Sequence, residues 1–199
     1  STKAGIQAYL NDIKTAVAKR PQDSTRKTNL LALSGGGDNG AFGAGLLVGW
    51  TKRGDRPMFD QVTGISTGAL IAPFAFLGAE YDQALEAVFT QVRPDDIYQE
   101  RGKLALLFTD AMADAKPLKS LINARVTDEM LANVAAEYEQ KGRLLLIGTT
   151  NIDSGLLVLW NMGKIASYKT PEAKSLFINV MMASAAVPGA FPPVLFDTE

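Results

Sequence analysis

The sequence predicts an α/β layered fold built on a largely parallel sheet. Three observations carry this. Short apolar runs of strand length alternate with longer segments of helical periodicity. Two strand-to-helix junctions are rich in glycine, Gly35-Gly36-Gly37-Asp38-Asn39-Gly40 and Gly64-Ile65-Ser66-Thr67-Gly68. The 199 residues are 47% hydrophobic and 21% charged, which suits one domain with a sizeable core.

Residues 5–20 read as an amphipathic helix, because Ile6, Leu10, Ile13 and Val17 recur at helical spacing. That stripe is expected to pack on the domain, with membrane contact as the alternative. The polar residues 21–28 end the helix as a loop. Residues 29–34 are a short apolar run, read as a buried strand, and 40–53 follow as a helix rich in Gly and Ala. Residues 59–63 read as the second strand, 66–78 as a hydrophobic helix and 81–92 as another. Residues 93–116 mix acids with an apolar patch at 104–108, read as core or as the lining of an apolar cleft. Residues 117–125 and 128–141 are helical, the second opening behind Thr127 as N-cap. Residues 143–149 and 156–160 read as strands around a turn at 151–155, where Asp153 is a turn residue. Residues 171–185 read as a helix and 187–196 as a proline-rich extended segment.

Composition removes whole classes of chemistry. Cysteine is absent, so there are neither disulfides nor thiolate metal sites. Histidine is absent too, which excludes Ser-His-Asp and Cys-His mechanisms and histidine-ligated metals. A net charge of −1 supplies no bulk field for nucleic acid, and no nucleic-acid partner is expected. The longest apolar run, at 69–79, is interrupted by Pro73 and Gly78 and falls short of transmembrane length.

The first glycine motif has the form G-x-G-x-x-G between a strand and a helix. A phosphate loop would need Lys and Ser or Thr after its last glycine, but Ala41 and Phe42 follow. A dinucleotide fold would need an acid closing the second strand, but Asp60 opens it. Two readings remain: an oxyanion hole made of backbone N–H groups, or a tight glycine turn that allows close helix packing. The second motif is G-x-S-x-G. Ser66 is either the nucleophile on a sharp strand-to-helix turn or an ordinary N-cap serine. In a parallel sheet both loops lie at the same carboxyl edge.

With these motifs in place the chain resembles the patatin-like phospholipases. Residues 35–40, 64–68 and "ASAAVPGAFPPV" (183–194) carry the resemblance, and "DAKPLKSLI" (114–122) and "GTTNIDSG" (148–155) are similar to the family as well. The resemblance begins near residue 29, leaving 1–28 as an N-terminal helix and loop. It implies a three-layer α/β/α sandwich with a mostly parallel central sheet. It also implies a lipid acyl hydrolase that works through a Ser–Asp dyad without histidine, metal or cofactor. By motif, Ser66 would be the nucleophile, Gly35, Gly36 and Gly37 the oxyanion hole, and a lipid or phospholipid the substrate, with peripheral membrane contact. Phe191 and the residues after Val187 would help line an acyl cleft. Asn39 stands where the family commonly carries a basic residue.

The family's aspartate lies in an Asp-Gly motif shortly after the F-P-P stretch, and no Asp-Gly dipeptide occurs in these 199 residues. Asp197 is read as a turn residue upstream of that motif, with a displaced base as the alternative. Residues 29–199 are therefore expected to be a catalytic domain incomplete at its C-terminus, completed by a further segment or chain. A noncatalytic lipid-binding or interaction module and an acyltransferase are the rival readings.

Overall fold

The computed structural model describes residues 2–21, 25, 27–90, 116–186 and 193–196. In chain order the described elements are α1 (Thr2–Lys19), β1 (Leu30–Leu33), a 3₁₀ turn (Gly37–Asn39), α2 (Gly40–Arg53), β2 (Gln61–Ile65), α3 (Thr67–Leu77) and a second 3₁₀ turn (Ala79–Tyr81). Then come α4 (Asp82–Thr90), α5 (Lys116–Arg125), α6 (Asp128–Lys141), β3 (Leu144–Asn151), β4 (Leu156–Asn161), α7 (Met162–Ser167) and α8 (Pro171–Ala185). The patch at 104–108, Phe191 and Asp197 lie outside the described residues, as do most of 93–116 and residues 187–192.

The four strands form one sheet in the order β1-β2-β3-β4. β1–β2 and β2–β3 are parallel, and β3–β4 is an antiparallel hairpin. With its flanking helices this is the α/β architecture that the alternation of strands and helices predicts. α3 packs on β1, β2 and β3 and is flanked by α2, α4 and α8. Its residues Thr67 to Phe76 are buried on every side, as expected of a helix hydrophobic all round. Strand alternation sends Leu31, Val62, Leu145 and Ile147 to one face of the sheet, against the core. On the other face Leu144 and Leu146 are buried, but Leu30, Leu157 and Leu159 are exposed. Among the described residues no helix is long and apolar enough to cross a membrane.

Three local expectations are corrected. The stripe Ile6, Leu10, Ile13 and Val17 is not the packed face of α1; Ile6, Leu10 and Val17 are exposed. The inward face is Tyr9, Asp12, Ile13 and Ala16, whose small buried Ala16 lets the helix backbone lie against Gly142. Arg20 then donates from Nε to the Gly142 carbonyl at 3.1 Å. β2 starts two residues later than expected. Phe59 sits before it, packed edge-on against Trp50, and Asp60 accepts the Asn29 N–H at 2.9 Å. α7 was not expected at all; Asn161, the last residue of β4, caps it by accepting the Lys164 N–H.

Candidate active site

The two glycine loops meet at the carboxyl edge of β1 and β2, where the parallel pairing brings them side by side. β1 ends at Leu33 and leads through Gly35 and Gly36 into the 3₁₀ turn, with Gly37 at φ 54°. β2 ends at Ile65 and turns at Ser66 directly into α3.

Ser66 adopts φ 55° and ψ −125°, one of two non-glycine residues with positive φ among those described. Such a conformation typically costs about 1–3 kcal/mol and persists where its surroundings over-determine it. Here the surroundings are tight. A Cβ on Gly68 would collide with the Leu33 carbonyl, so the first turn of α3 is pressed onto the end of β1. Gly64 and Gly68 are likewise in contact with each other. Larger residues at either flank of Ser66 would push the helix off the sheet.

Gly35 in the first loop lies against Ser66. An ideal Cβ on it would stand 2.8 Å from the Ser66 Cβ and 3.4 Å from Oγ. Gly36 is less confined, since a Cβ there would meet the Asn39 side chain at 3.3 Å. Thr67, buried beside the serine, donates its hydroxyl to the Gly37 carbonyl at 3.1 Å and ties the two loops together.

Ser66 is half-buried. Its carbonyl accepts the Ala69 N–H at 2.8 Å, but its hydroxyl makes no capping bond to α3. The reading of Ser66 as an ordinary N-cap is therefore not supported. Its own N–H donates to the Ser184 hydroxyl at 2.9 Å, which donates in turn to the Gly148 carbonyl at 2.6 Å. Sequence reasoning did not single out Ser184, although it stands in the "ASAAVPGAFPPV" stretch.

Among the described residues no carboxylate bonds the Ser66 hydroxyl. Asp60 lies at the opposite, amino edge of β2, which also removes any resemblance to a ribose-binding acid. Asp82 pairs with Arg56, Asp55 with Arg53, Asp128 with Lys174, and Asp12 accepts from Asn161. Asp153 sits in the exposed turn after β3, as expected. The shifted carboxylates lie elsewhere too. The Arg53 guanidinium bonded to exposed Asp55 lowers that carboxyl. Burial pushes Glu137 up, but hydrogen bonds from Lys141 and Arg143 outweigh it and leave the carboxyl lowered. An open groove of about 620 Å³ lies at the far end of α8, lined by Tyr168, Pro171, Leu176 and Phe196. It contains none of the residues of the glycine motifs.

No curated protein matches the chain significantly. The family model described as patatin-like phospholipase matches residues 31–199, a stretch that starts in β1 and takes in both glycine loops and Ser184. The chain belongs to the patatin-like phospholipase family, whose general chemistry is lipid acyl hydrolysis.

Proposed function

We propose that the protein hydrolyses lipid acyl esters with Ser66 as nucleophile, an aspartate as its base and the Gly35–Gly37 backbone as its oxyanion hole. What carries this reading is the backbone of Ser66: a strained serine at a strand-to-helix turn, with its hydroxyl unused as a cap and Gly35 held against it. Glycine at positions 35 to 37 keeps side chains away from the place where the substrate oxygen must come. Amides there would donate to the oxygen as it becomes negative, and the N-terminus of α2 adds positive partial charge.

In the first step the Ser66 oxygen attacks the ester carbonyl carbon as its proton passes to the aspartate. The tetrahedral oxyanion collapses, the C–O bond to the alcohol breaks, and the leaving alcohol takes the proton. Water then adds to the acyl-serine as one of its protons passes to the same carboxylate; the acyl–Ser66 C–O bond breaks, the Ser66 oxygen takes that proton back, and the fatty acid is released. Residues 1–199 contain no histidine, and a carboxylate, as in the Ser–Asp dyad that the family resemblance implies, is the proton acceptor of this proposal.

The test is fluorophosphonate labelling and ester turnover in full-length protein with and without Ser66→Ala. Both should vanish in the variant while its melting temperature stays within a few degrees. Labelling or hydrolysis that survives Ser66→Ala places the nucleophile elsewhere. Product analysis with added alcohol acceptors separates hydrolysis from acyl transfer.

A further inference from the structure

The parallel ladder between β2 and β3 has a defined rhythm. Leu144 N–H donates to the Asp60 carbonyl at 2.9 Å, and Gln61 stands opposite Leu144. In an evenly spaced parallel ladder, residues 144, 146 and 148 of β3 are then the ones that bond to β2 on both sides. The rung due after Gly64 would run from the Ser66 N–H to the Gly148 carbonyl. These two groups are not bonded to each other. The Ser184 hydroxyl stands between them, accepting from Ser66 N at 2.9 Å and donating to Gly148 O at 2.6 Å.

We infer that Ser184 is a positioning residue for the nucleophile. Its hydroxyl is inserted into the last rung of the sheet and so holds Ser66 off the ladder in its active-site turn. The inference rests on the proposed role of Ser66.

The physical case has three parts. A direct rung would keep Ser66 in the strand, whereas its φ of 55° takes it out of the sheet and into α3. Leaving the sheet strands one N–H and one carbonyl, and buried or half-buried polar groups without partners are costly. One hydroxyl, with a donor and acceptor lone pairs, satisfies both and sets the gap between them. Ser184 can do this because α8 packs on both β3 and α3, which fixes where its last turn lies. The same bond has a consequence for the oxyanion. The Ser66 amide is already spent on Ser184, so the donors to the substrate oxygen have to come from other amides, as the proposed glycine loop supplies.

The experiment compares Ser184→Ala, Ser184→Cys and Ser184→Thr with the wild type and Ser66→Ala, all in the full-length protein. It reads kcat and KM on a soluble ester, the fluorophosphonate labelling rate and the melting temperature. Removing the hydroxyl should lower kcat and labelling by about tenfold or more, the scale of one hydrogen bond made at the reacting group, with KM within about twofold. Cys keeps the volume but bonds weakly and should track Ala. Thr keeps the hydroxyl and should restore most of the rate. Wild-type rates in the Ala and Cys variants overturn the inference. So does Thr as slow as Ala, since packing and not the hydroxyl would then matter. If Ala folds poorly, the Cys–Thr pair decides. Undiminished labelling of Ser66→Ala is a separate outcome, which removes the nucleophile assignment and the inference with it.

Discussion

Gly35 lies against Ser66 so closely that a methyl group on it would stand 2.8 Å from the Ser66 Cβ. The contact joins two motifs thirty-one positions apart in sequence, and it supplies a discriminating substitution. Gly35→Ala must displace either the loop or the serine. A misplacement of about 1 Å in a catalytic group can cost on the order of a hundredfold in rate. Turnover in Gly35→Ala should fall by about that much, while Gly36→Ala, facing only the Asn39 side chain, should lose far less. Equal rates for the two variants would remove the close approach at Gly35 as the reason for its glycine.

Strain at Ser66 gives the second prediction. Positive φ costs a non-glycine residue about 1–3 kcal/mol, partly offset by the roughly 0.4–1 kcal/mol of extra chain entropy that glycine loses on folding. Ser66→Gly should therefore be inactive yet melt about 2–4 °C above Ser66→Ala, for a net relief near 1 kcal/mol. Calorimetry of the two inactive variants decides it. A glycine variant that melts below the alanine one would show that the turn holds no such strain.

The fold was legible where local rules and burial agree. α2 ends at Arg53 because Gly54 takes φ 90° and donates to the Thr51 carbonyl. α6 begins where Thr127 accepts the Met130 N–H, as the threonine before a helical run predicts. The misses have physical causes of their own. α7 is six residues long and contains Gly163, too short for periodicity to register. Its one sequence signal was Asn161 as cap. The packed face of α1 is not its stripe of larger apolar side chains, because close approach to Gly142 selects the small Ala16. For the candidate site, spacing marks out the two glycine motifs, and the family resemblance singles out Ser66 within the second. Ser184 could not, since its bond spans 118 positions and depends on how α8 lies against β3.

Arg143 organises the amino edge of the sheet and yields a pH prediction. It is 4% exposed, donates to the Phe59 and Phe76 carbonyls, pairs with Glu137 at 2.7 Å and lies over the Phe76 ring. Arg143→Met would orphan those carbonyls and one side of Glu137, a change that typically costs about 3–5 kcal/mol. Because the folded Glu137 carboxyl is lowered below its ordinary 4.5, its contribution is complete above that value. It is lost as pH falls from there through the folded value. Urea unfolding should show the wild type losing stability below about pH 4.5, with a shallower fall in Arg143→Met. Parallel acid limbs in the two proteins would count against the assignment.

Chelation is expected to be without effect. Residues 1–199 contain neither histidine nor cysteine, the ligands that hold most catalytic transition metals, and the proposed steps route charge through amides and a carboxylate. Turnover after dialysis against EDTA should equal that of the untreated protein. Loss on chelation, restored by one added metal ion, would replace the mechanism.

The base is the remaining part of the machinery, and it can be tested directly. We propose an aspartate in an Asp-Gly motif of the kind that the family carries after its F-P-P stretch. Residues 1–199 contain no Asp-Gly dipeptide, and the aspartate that follows Phe191-Pro192-Pro193 within them is Asp197. A serine hydroxyl attacks slowly unless a positioned group takes its proton, and such a group typically contributes about 10²–10⁴-fold. Residues 1–199 alone should therefore turn over a soluble ester slower by about that factor than a chain that continues through an Asp-Gly motif. Asp→Asn in that motif should bring the longer chain down to the same level. If the two chains are equally fast, the proton goes to a group within residues 1–199. Asp197→Asn then becomes the decisive variant, and its loss of activity would make Asp197 the base.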